Sequence, residues 1–421
     1  MKKVFYLLVL LTSFMTSWHV VAAEDVEISA RGAIALDANT GKILYEKEAD
    51  QSFGIGSISK IMTAYLVYEA IDAKKFSLTT KVTPSQELYQ LSQEDLISGL
   101  EMTQENYTVQ DLLKASLHAS STPATLALAD KVAGNQEEFL KQINAKLAEW
   151  GIESRFVSVA GDDATYQASE EDGQDNKKKK KKASEKTENT LSAYELAIIT
   201  NHLIKDHPAL FDLTATSNNL FGETSYSTSN LMLEGMPRMR GPVDGLKTGS
   251  SAQDGQAFVA TSNERGMRLI TIVLGIENPD QDPYLRFTDT NRILTYITQT
   301  YRPSTLVKQG TSYKDKKSTI IDGREDQIIG LAQEDLVIVE KMGVQEETPI
   351  QFHTDKNGYQ APIKKDQAIG YLTFEDKDLV GHGYLEGKLP QIPVVAQKEV
   401  KKAFFPKIWW NHFVRYVNEK L

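Results

Sequence analysis

A chain of 421 residues is longer than a single hydrophobic core usually spans, so its length predicts two domains. The formal net charge of −10 argues against a nucleic-acid partner, which would favour a basic face. The sequence contains no cysteine, which excludes disulfides, thiol nucleophiles and thiolate metal sites.

The first 23 residues have the pattern of a signal peptide. Lys2 and Lys3 precede an apolar run at 4–11, and small residues end at Ala23, before two acidic residues. An uncleaved anchor helix is the alternative, but the apolar run is too short to span a bilayer. Either interpretation predicts export, and removal of residues 1–23 would leave a formal charge of about −12.

The next elements in the chain are a hairpin and a buried helix. Two apolar stretches within 31–47 flank a turn-forming segment at 37–41, which predicts a β-hairpin. A helix is predicted from near Ser57 to about Ala73. It is apolar almost all round, so we expect it at the centre of a domain.

Helical patterns follow at 109–117, 123–132 and 192–204. Between the last two lies a polar stretch at 170–189 with six consecutive lysines at 177–182. Because this stretch cannot bury apolar area, we expect a mobile insertion. A solvated loop is favoured over a role in binding anionic wall polymers, since acidic residues beside the lysines partly offset their charge.

Apolar runs then predict a sheet, a helix and a second domain. Strands are expected at 243–249, 257–261 and 268–275, and a closing helix at 289–301. After Pro303 the sequence changes to short β-rich runs at 318–321, 336–339, 349–353 and 368–374, separated by turn residues. These runs predict a small all-β domain at 302–395 that follows a catalytic domain at 24–301.

Residues 396–421 predict an amphipathic helix that lies flat in a membrane interface. A helix docked on its own protein is the alternative. One face carries Trp409, Trp410, Phe413, Val414, Tyr416, Val417 and Leu421, and the other Asn411, Arg415, Asn418 and Glu419. Attraction to anionic lipid is expected from Lys398, Lys401, Lys402 and Lys407.

Ser57 and Lys60 form the first candidate for chemistry. Residues three apart at the start of a helix are neighbours on one face, so the Lys60 amine can reach the Ser57 hydroxyl. A serine hydroxyl needs a base to become a nucleophile, and a lysine can serve if its amine is neutral. Ser-x-x-Lys alone is a weak signal, but its place at the head of a very apolar helix strengthens it.

Lys247-Thr248-Gly249 forms the second candidate. A lysine and a hydroxyl beside a glycine on a strand edge could bind a substrate carboxylate, because glycine lets the backbone approach a ligand closely. An ordinary turn with an exposed lysine is the alternative.

Together, the two motifs and their order resemble those of the low-molecular-mass penicillin-binding proteins, the D-alanyl-D-alanine carboxypeptidases. ARGAIALDANTGKILYEKEAD resembles that family's opening hairpin, VDGLKTGSSAQDGQAFVATS its Lys-Thr-Gly strand and return, and GMRLITIVLG its last strand. The resemblance covers nearly the whole mature chain. It implies an α+β fold shared with the serine β-lactamases: an antiparallel sheet flanked by helices, with a C-terminal all-β domain and a terminal helix.

The resemblance also implies a third motif, Ser-x-Asn, at Ser120-Ser121-Thr122. Here the chain departs from the family, because Thr122 stands where asparagine is expected and has no amide donor. Ser120 is the expected proton-relay hydroxyl, and capping of the next helix is its alternative role. A literal Ser-x-Asn at 217–219 lies too close in sequence to Lys247.

Further roles are implied by the resemblance alone. The backbone N–H groups of Ser57 and Ser250 would form an oxyanion hole. Gly249 and Ser250 would belong to the substrate-binding strand, and Arg286 would lie near the substrate, with a surface ion pair as its alternative. No cofactor and no metal are expected. The partners would be peptidoglycan stem peptides and β-lactam antibiotics.

The implied activity is removal of the terminal D-alanine from wall peptides through an acyl-enzyme on Ser57, at the outer face of the bacterial cell membrane. One rival is a β-lactamase, which would use the same nucleophile with faster deacylation. The other is a non-catalytic wall-binding scaffold that kept the fold after its third motif changed at Thr122.

Overall fold

The computed structural model describes residues 26–93, 100–161, 188–277, 282–343 and 348–420. The predicted signal peptide and the lysine run at 177–182 lie outside these residues.

Within the described ranges, α-helices occur between residues 60 and 300 and again at 405–420, and two short 3₁₀ turns lie at Gly56–Ser59 and Leu385–Gly387. The α-helices, numbered in chain order, are α1 Lys60–Asp72, α2 Gln86–Ser92, α3 Val109–His118, α4 Thr122–Ala133, α5 Gln136–Glu149, α6 Ala193–Asp206, α7 Leu210–Thr214, α8 Leu285–Thr300 and α9 Phe405–Lys420.

The strands fall into an N-terminal and a C-terminal group. The first group is β1 Gly32–Asp37, β2 Ile43–Lys47, β3 Ser52–Gly54, β4 Lys81–Val82, β5 Tyr107–Thr108, β6 Thr190–Ser192, β7 Asn218–Phe221, β8 Thr224–Ser227, β9 Val243–Ser251, β10 Gly255–Glu264 and β11 Met267–Ile276. The second is β12 Tyr301–Val307, β13 Lys317–Ile321, β14 Gln327–Ala332, β15 Leu336–Lys341, β16 Ile350–His353, β17 Tyr359–Gln360, β18 Ala368–Phe374 and β19 Ile392–Ala396.

A five-stranded antiparallel sheet in the order β2-β1-β11-β10-β9 forms the centre of the first group. Alternate residues of β11 point to opposite faces, so Ile272 and Leu274 join one hydrophobic cluster while Leu269 and Val273 join another. Helices α1, α4 and α6 contribute to the first cluster, and α8 contributes to the second. The predicted α+β fold with an antiparallel sheet flanked by helices is therefore confirmed.

Helix α1 is buried nearly all round, as its apolar sequence predicts. The 3₁₀ turn Gly56–Ser59 precedes it, so the α-helix itself begins at Lys60. Its burial matters for function because the first turn of a helix held on all sides has a defined position.

Two predicted boundaries differ from the structure. Helix α8 begins at Leu285, four residues before its predicted start, so it includes Arg286. Glu188 and Asn189 were expected in the mobile insertion, but Asn189 is fully buried and the side chain of Glu188 accepts a hydrogen bond from Ser251. The reason is that polar residues can be buried when their hydrogen bonds are satisfied, which composition alone does not reveal.

The second group of strands builds a separate hydrophobic cluster around a six-stranded sheet in the order β16-β18-β19-β14-β13-β17. Val400 is buried in this cluster and pairs with Ile363, beyond the predicted end of the β-domain at 395. A buried ion pair of 2.7 Å between Lys42 and Asp376 connects the β1–β2 hairpin with this part of the chain.

Helix α9 exposes its aromatic residues and contacts the β-rich part with polar ones. Trp409 and Trp410 are 60% and 58% exposed. The Lys407 amine lies 3.0 Å from a carboxylate oxygen of Asp326, and His412 contacts Asp322. Within the described ranges, no helix combines the length and apolar character needed to cross a bilayer.

Two of the lysines that were expected to attract lipid have carboxylate partners. Lys407 pairs with Asp326, and the Lys398 amine lies 2.8 Å from Glu325. A paired lysine adds little net charge to a surface. The expected attraction to anionic lipid would therefore come mainly from the exposed Lys401 and Lys402.

Candidate active site

Ser57 and Lys60 are brought together at the head of α1. The Lys60 amine donates to the Ser57 hydroxyl over 3.0 Å and to the carbonyl of Ala160 over 2.9 Å. Lys60 is 1% exposed, so its amine is held by protein contacts instead of water. Ala160 was not predicted as a site residue, because a backbone carbonyl has no sequence signal of its own.

Lys247 approaches from strand β9, and it is fully buried. Its amine contacts the hydroxyl of Ser120 and donates to the carbonyl of Thr248 over 2.8 Å. Burial lowers the pKa of Lys247 well below its ordinary value, and the nearby charges of Lys60 and Arg286 act in the same direction. The alternative of an exposed turn lysine is therefore wrong.

Ser120 has a left-handed backbone conformation with a φ of +58°, between α3 and α4. The N-cap of α4 is Ser121, whose hydroxyl accepts from the backbone N–H of Ala124 over 3.4 Å. Capping therefore belongs to the neighbouring serine and leaves the Ser120 hydroxyl directed at Lys247. Thr122 is buried in the first turn of α4.

The Thr248 hydroxyl has a partner that the sequence did not indicate. It lies 2.8 Å from the hydroxyl of Ser229, an exposed residue whose backbone N–H donates to the carbonyl of His118. Ser229 belongs to none of the recognised motifs and lies in a polar stretch typical of loops, so nothing in its surroundings marked it.

His118 holds the segment around Ser229 in place. Its Nε2 lies 2.9 Å from the carbonyl of Leu213 and its Nδ1 lies 3.0 Å from the hydroxyl of Thr228. Since a carbonyl can only accept, the neutral ring donates from Nε2 and accepts at Nδ1. Burial, assisted by Lys114 and Lys247, lowers the pKa of His118 to about 4.

Glycines bring the 3₁₀ turn Gly56–Ser59, called the nucleophile turn because it carries Ser57, into backbone contact with the end of β9. A Cβ on Gly56 would lie 2.1 Å from the carbonyl oxygen of Ser250, and one on Gly249 would lie 2.4 Å from that of Ile55. A side chain at either position would separate the two segments. Because glycine has no side chain, the residue before Ser57 lies directly against the Ser250 backbone.

Arg286, in α8, contacts the end of β9 and the start of β10. Its guanidinium donates to Gly249 over 2.9 Å and to the side chain of Gln256 over 3.0 Å. Within the described part of the chain these partners are uncharged, which argues against the surface ion pair. Burial lowers the pKa of Arg286 to about 10.

The arrangement joins a hydroxyl with an adjacent amine, and it places further cationic groups opposite them. A hydroxyl with a base within hydrogen-bond distance can attack a carbonyl carbon. Lys247 and Arg286 would attract a substrate carboxylate, because charge interactions are strong where water is excluded, and the carboxylate in turn would favour the protonated form of the Lys247 amine that burial alone disfavours. Acyl transfer on a substrate that ends in a carboxylate is the chemistry to which these groups are suited.

Comparison with known proteins supports the same interpretation. A sequence model of the D-alanyl-D-alanine carboxypeptidase family matches residues 19–278, which is more than half of the chain. The chain belongs to the D-alanyl-D-alanine carboxypeptidase family. The predicted serine peptidase is thereby confirmed in family, fold and activity class. A second model, described as the C-terminal domain of penicillin-binding protein 5, matches residues 301–402 of this carboxypeptidase.

Individual relatives span nearly the full length. D-alanyl-D-alanine carboxypeptidase DacC of Escherichia coli is 27% identical over 92% of this chain and 88% of its own length. DacF of Bacillus subtilis is 27% identical over 89% and 87%. Among solved structures, a peptidoglycan synthesis regulatory factor (PBP3) from Streptococcus pneumoniae is 40% identical, with a TM-score of 0.79 and coverage of 89% of this chain and 100% of that one.

We expect His118 to make the stability of this carboxypeptidase pH-dependent. The unfolded chain binds a proton at this ring below about pH 6.5, but the folded protein does so only near its lowered pKa of about 4. The contribution is therefore fully present above about pH 6.5 and is lost as the pH falls towards about 4. A shift of this size corresponds to about 3 kcal/mol.

The measurement is the free energy of unfolding in urea at about pH 7 and about pH 4.5. His118→Gln, whose amide can still donate to Leu213, should lose less stability between these two conditions than the wild type. His353→Gln, at a partly exposed ring, is the control. An identical pH dependence of wild type and His118→Gln would contradict the expectation.

Proposed function

We propose that Ser57 is the nucleophile of this carboxypeptidase and Lys60 its base. The observation that carries the proposal is the 3.0 Å hydrogen bond between the Lys60 amine and the Ser57 hydroxyl in a buried setting. In the first step the Ser57 oxygen bonds to the carbonyl carbon between two D-alanines while Lys60, as a neutral amine, takes the hydroxyl proton. The N–H groups of Ser57 and Ser250 stabilise the resulting oxyanion.

In the second part of the cycle the carbon–nitrogen bond breaks and Ser120 passes a proton to the leaving D-alanine amine. Its contact with Lys247 supports this role, because a relay hydroxyl must be connected to a group that can replace its proton. Water then attacks the ester carbonyl: the water oxygen bonds to the carbonyl carbon, the bond to the Ser57 oxygen breaks and that oxygen takes a proton from the water, which releases the shortened peptide. The proton that Lys60 took from Ser57 replaces the one that Ser120 gave to the leaving amine, so the site is restored.

The terminal carboxylate of the substrate is held at the end of β9. Lys247 supplies charge and Thr248 supplies a hydroxyl, whose orientation is set by Ser229. Arg286 binds the Gly249 carbonyl, so it supports this strand and adds positive potential. Thr122 would take the substrate-side position of the family asparagine without its amide. A β-lactam would acylate Ser57 because it presents the same carbonyl and carboxylate.

The two rivals differ in how they would react with penicillin. Rapid turnover of penicillin would favour a β-lactamase, and failure to form a covalent adduct would favour a non-catalytic scaffold. The length shared with carboxypeptidases, including the C-terminal β-rich part, supports the peptidase.

We also propose the division of the chain into a signal peptide at 1–23, a catalytic domain at 24–301, a β-domain at 302–395 and an anchoring segment at 396–421. The separate hydrophobic cluster of the C-terminal strands supports two domains. Burial of Val400 favours a β-domain that continues a few residues beyond 395.

Helix α9 is proposed to attach the exported protein to the outer face of the cell membrane. Its exposed Trp409, Trp410 and Phe413 support this, since aromatic side chains favour the bilayer interface. Polar contacts of Lys407 and His412 to the β-rich part fix the helix with these aromatics outward. Action on peptidoglycan, which lies outside the cell membrane, also requires attachment to the outer face.

Ser57→Ala should abolish both acylation by penicillin and cleavage of the pentapeptide, because the Ser57 oxygen is the atom that would carry the ester. Mass spectrometry of the protein after treatment with penicillin should show an adduct in the wild type and none in the variant. A pentapeptide ending in D-Ala-D-Ala should lose one alanine only with the wild type. A folded Ser57→Ala protein with full peptidase activity would refute the assignment.

Ser120→Ala should lower kcat for the pentapeptide about 100-fold or more, which is typical for loss of a proton-transfer group. Ser217→Ala is the matched control, since Ser217 begins the literal Ser-x-Asn triplet but its side chain is not part of the site. Equal activity of the two variants would mean that Ser120 passes no proton.

Trp409→Ala combined with Trp410→Ala should weaken binding to vesicles of phosphatidylglycerol and phosphatidylcholine by at least about tenfold. The reason is that two exposed indoles, once buried in the lipid interface, contribute several kcal/mol to the free energy of binding. Binding is measured by vesicle sedimentation. Tyr371→Ala, at an exposed aromatic residue of β18, is the control. Unchanged sedimentation of the double variant would contradict attachment through α9.

A further inference from the structure

Asn189 is a fully buried polar residue just before β6 that the proposed mechanism does not use. Its Nδ2 donates to the hydroxyl of Ser59 over 2.9 Å and to the carbonyl of Ser158 over 2.8 Å. Its Oδ1 accepts from the N–H groups of Val157 and Ser158 over 2.8 and 3.1 Å. The amide thus uses both donors and both lone pairs in one network.

The network connects two segments that each contact the reacting groups. Ser59 belongs to the nucleophile turn, and the carbonyl of Asn189 also accepts from the N–H of Ile55 at 3.0 Å, just before that turn. Val157 and Ser158 belong to the loop that continues to Ala160, whose carbonyl accepts from the Lys60 amine. One side chain therefore joins the turn that carries Ser57 to the loop that holds Lys60.

The loop is seated closely on the turn. A Cβ on Gly161 would lie 2.0 Å from the carbonyl oxygen of Gly56, so these backbones are in direct contact. The N–H of Gly161 donates to the hydroxyl of Ser158 over 2.9 Å, which fixes the loop between Asn189 and the turn. A small movement at Ser158 would therefore be transmitted to the Ala160 carbonyl.

Only an amide satisfies this position. The Ser59 hydroxyl gives its single proton to the carbonyl of Gly56 over 2.7 Å, so it must accept from Asn189. The carbonyl of Ser158 must also accept. A carboxylate of the same shape would place an oxygen against two acceptors and would bury a charge, both of which are costly.

We propose that Asn189 is a positioning residue that sets the distance between the Lys60 amine and the Ser57 hydroxyl by holding the Val157–Gly161 loop on the nucleophile turn. The inference rests on the proposed roles of Ser57 and Lys60. Asn189 acts through Ala160 and Ser59, and so it should affect the chemical step and leave substrate binding at β9 unchanged.

Asn189→Asp is the direct test, with Asn144→Asp as its matched control. The Asn144 amide, in α5, bonds Phe156, the residue just before this loop, donating to its carbonyl over 2.9 Å and accepting from its N–H over 2.8 Å. Phe156 is at the end of the segment away from Lys60. Both variants replace an amide that bonds this segment by a carboxylate, but only one does so beside the nucleophile turn.

Stopped-flow acylation by a fluorescent penicillin separates the binding constant from the rate of ester formation. Asn189→Asp should lower that rate about 10- to 100-fold with unchanged binding, since a misplacement of about 1 Å can cost about 100-fold. Asn144→Asp should stay within about threefold of the wild type, as expected for a site that does not touch the reacting groups. Thermal unfolding of each variant confirms that the proteins compared are folded.

Ser59→Ala provides a second test if Asn189→Asp does not fold, because it removes the link between Asn189 and the turn, together with the bond from the Ser59 hydroxyl to the Gly56 carbonyl, and introduces no charge. It too should slow ester formation without weakening binding. Ester formation at the wild-type rate in these variants, or an equal loss in Asn144→Asp, would overturn this inference alone. A wild-type protein without any adduct on Ser57 would overturn the proposed function and the inference with it.

Discussion

The site depends on burying two lysine amines beside hydroxyl groups. Lys60 and Lys247 are almost completely removed from water, and each contacts a serine. For Lys247 this burial lowers the pKa of the amine, and for Lys60 it leaves the amine held by the Ser57 hydroxyl and the Ala160 carbonyl. The apolar helix α1 and the central sheet provide that burial. The packing of the hydrophobic core therefore sets the surroundings of the two reactive amines.

Close backbone approach is the second constraint. Gly56, Gly161 and Gly249 allow the nucleophile turn, the following loop and the end of β9 to meet without intervening side chains. Each contact alone is a packing detail. Together they bring the turn that carries Ser57, the loop that holds the Lys60 amine and the end of β9, which we propose binds the substrate carboxylate, next to one another.

The sequence allowed the fold class, the order of the main elements and the two lysine motifs to be predicted. Ser57–Lys60 could be paired because three residues is close to one helical turn, and β9–β11 could be recognised from alternating apolar residues. The start of α8 was missed by four residues, since helix ends depend on local contacts that periodicity does not contain. Asn189 was assigned to the insertion because composition is an average over neighbouring residues, and its neighbours are polar.

What the sequence by itself determined was local: a hydroxyl and an amine on one helix face, a Lys-Thr-Gly strand and an aromatic terminal helix face. Only the tertiary structure decided that Lys247 contacts Ser120, that Ser121 is the helix cap, that Ser229 and His118 support Thr248, and that Asn189 joins the loop to the turn. These contacts join residues distant along the chain. Their partners are selected by packing and by the need to satisfy every buried polar group, and neither is visible in a local pattern.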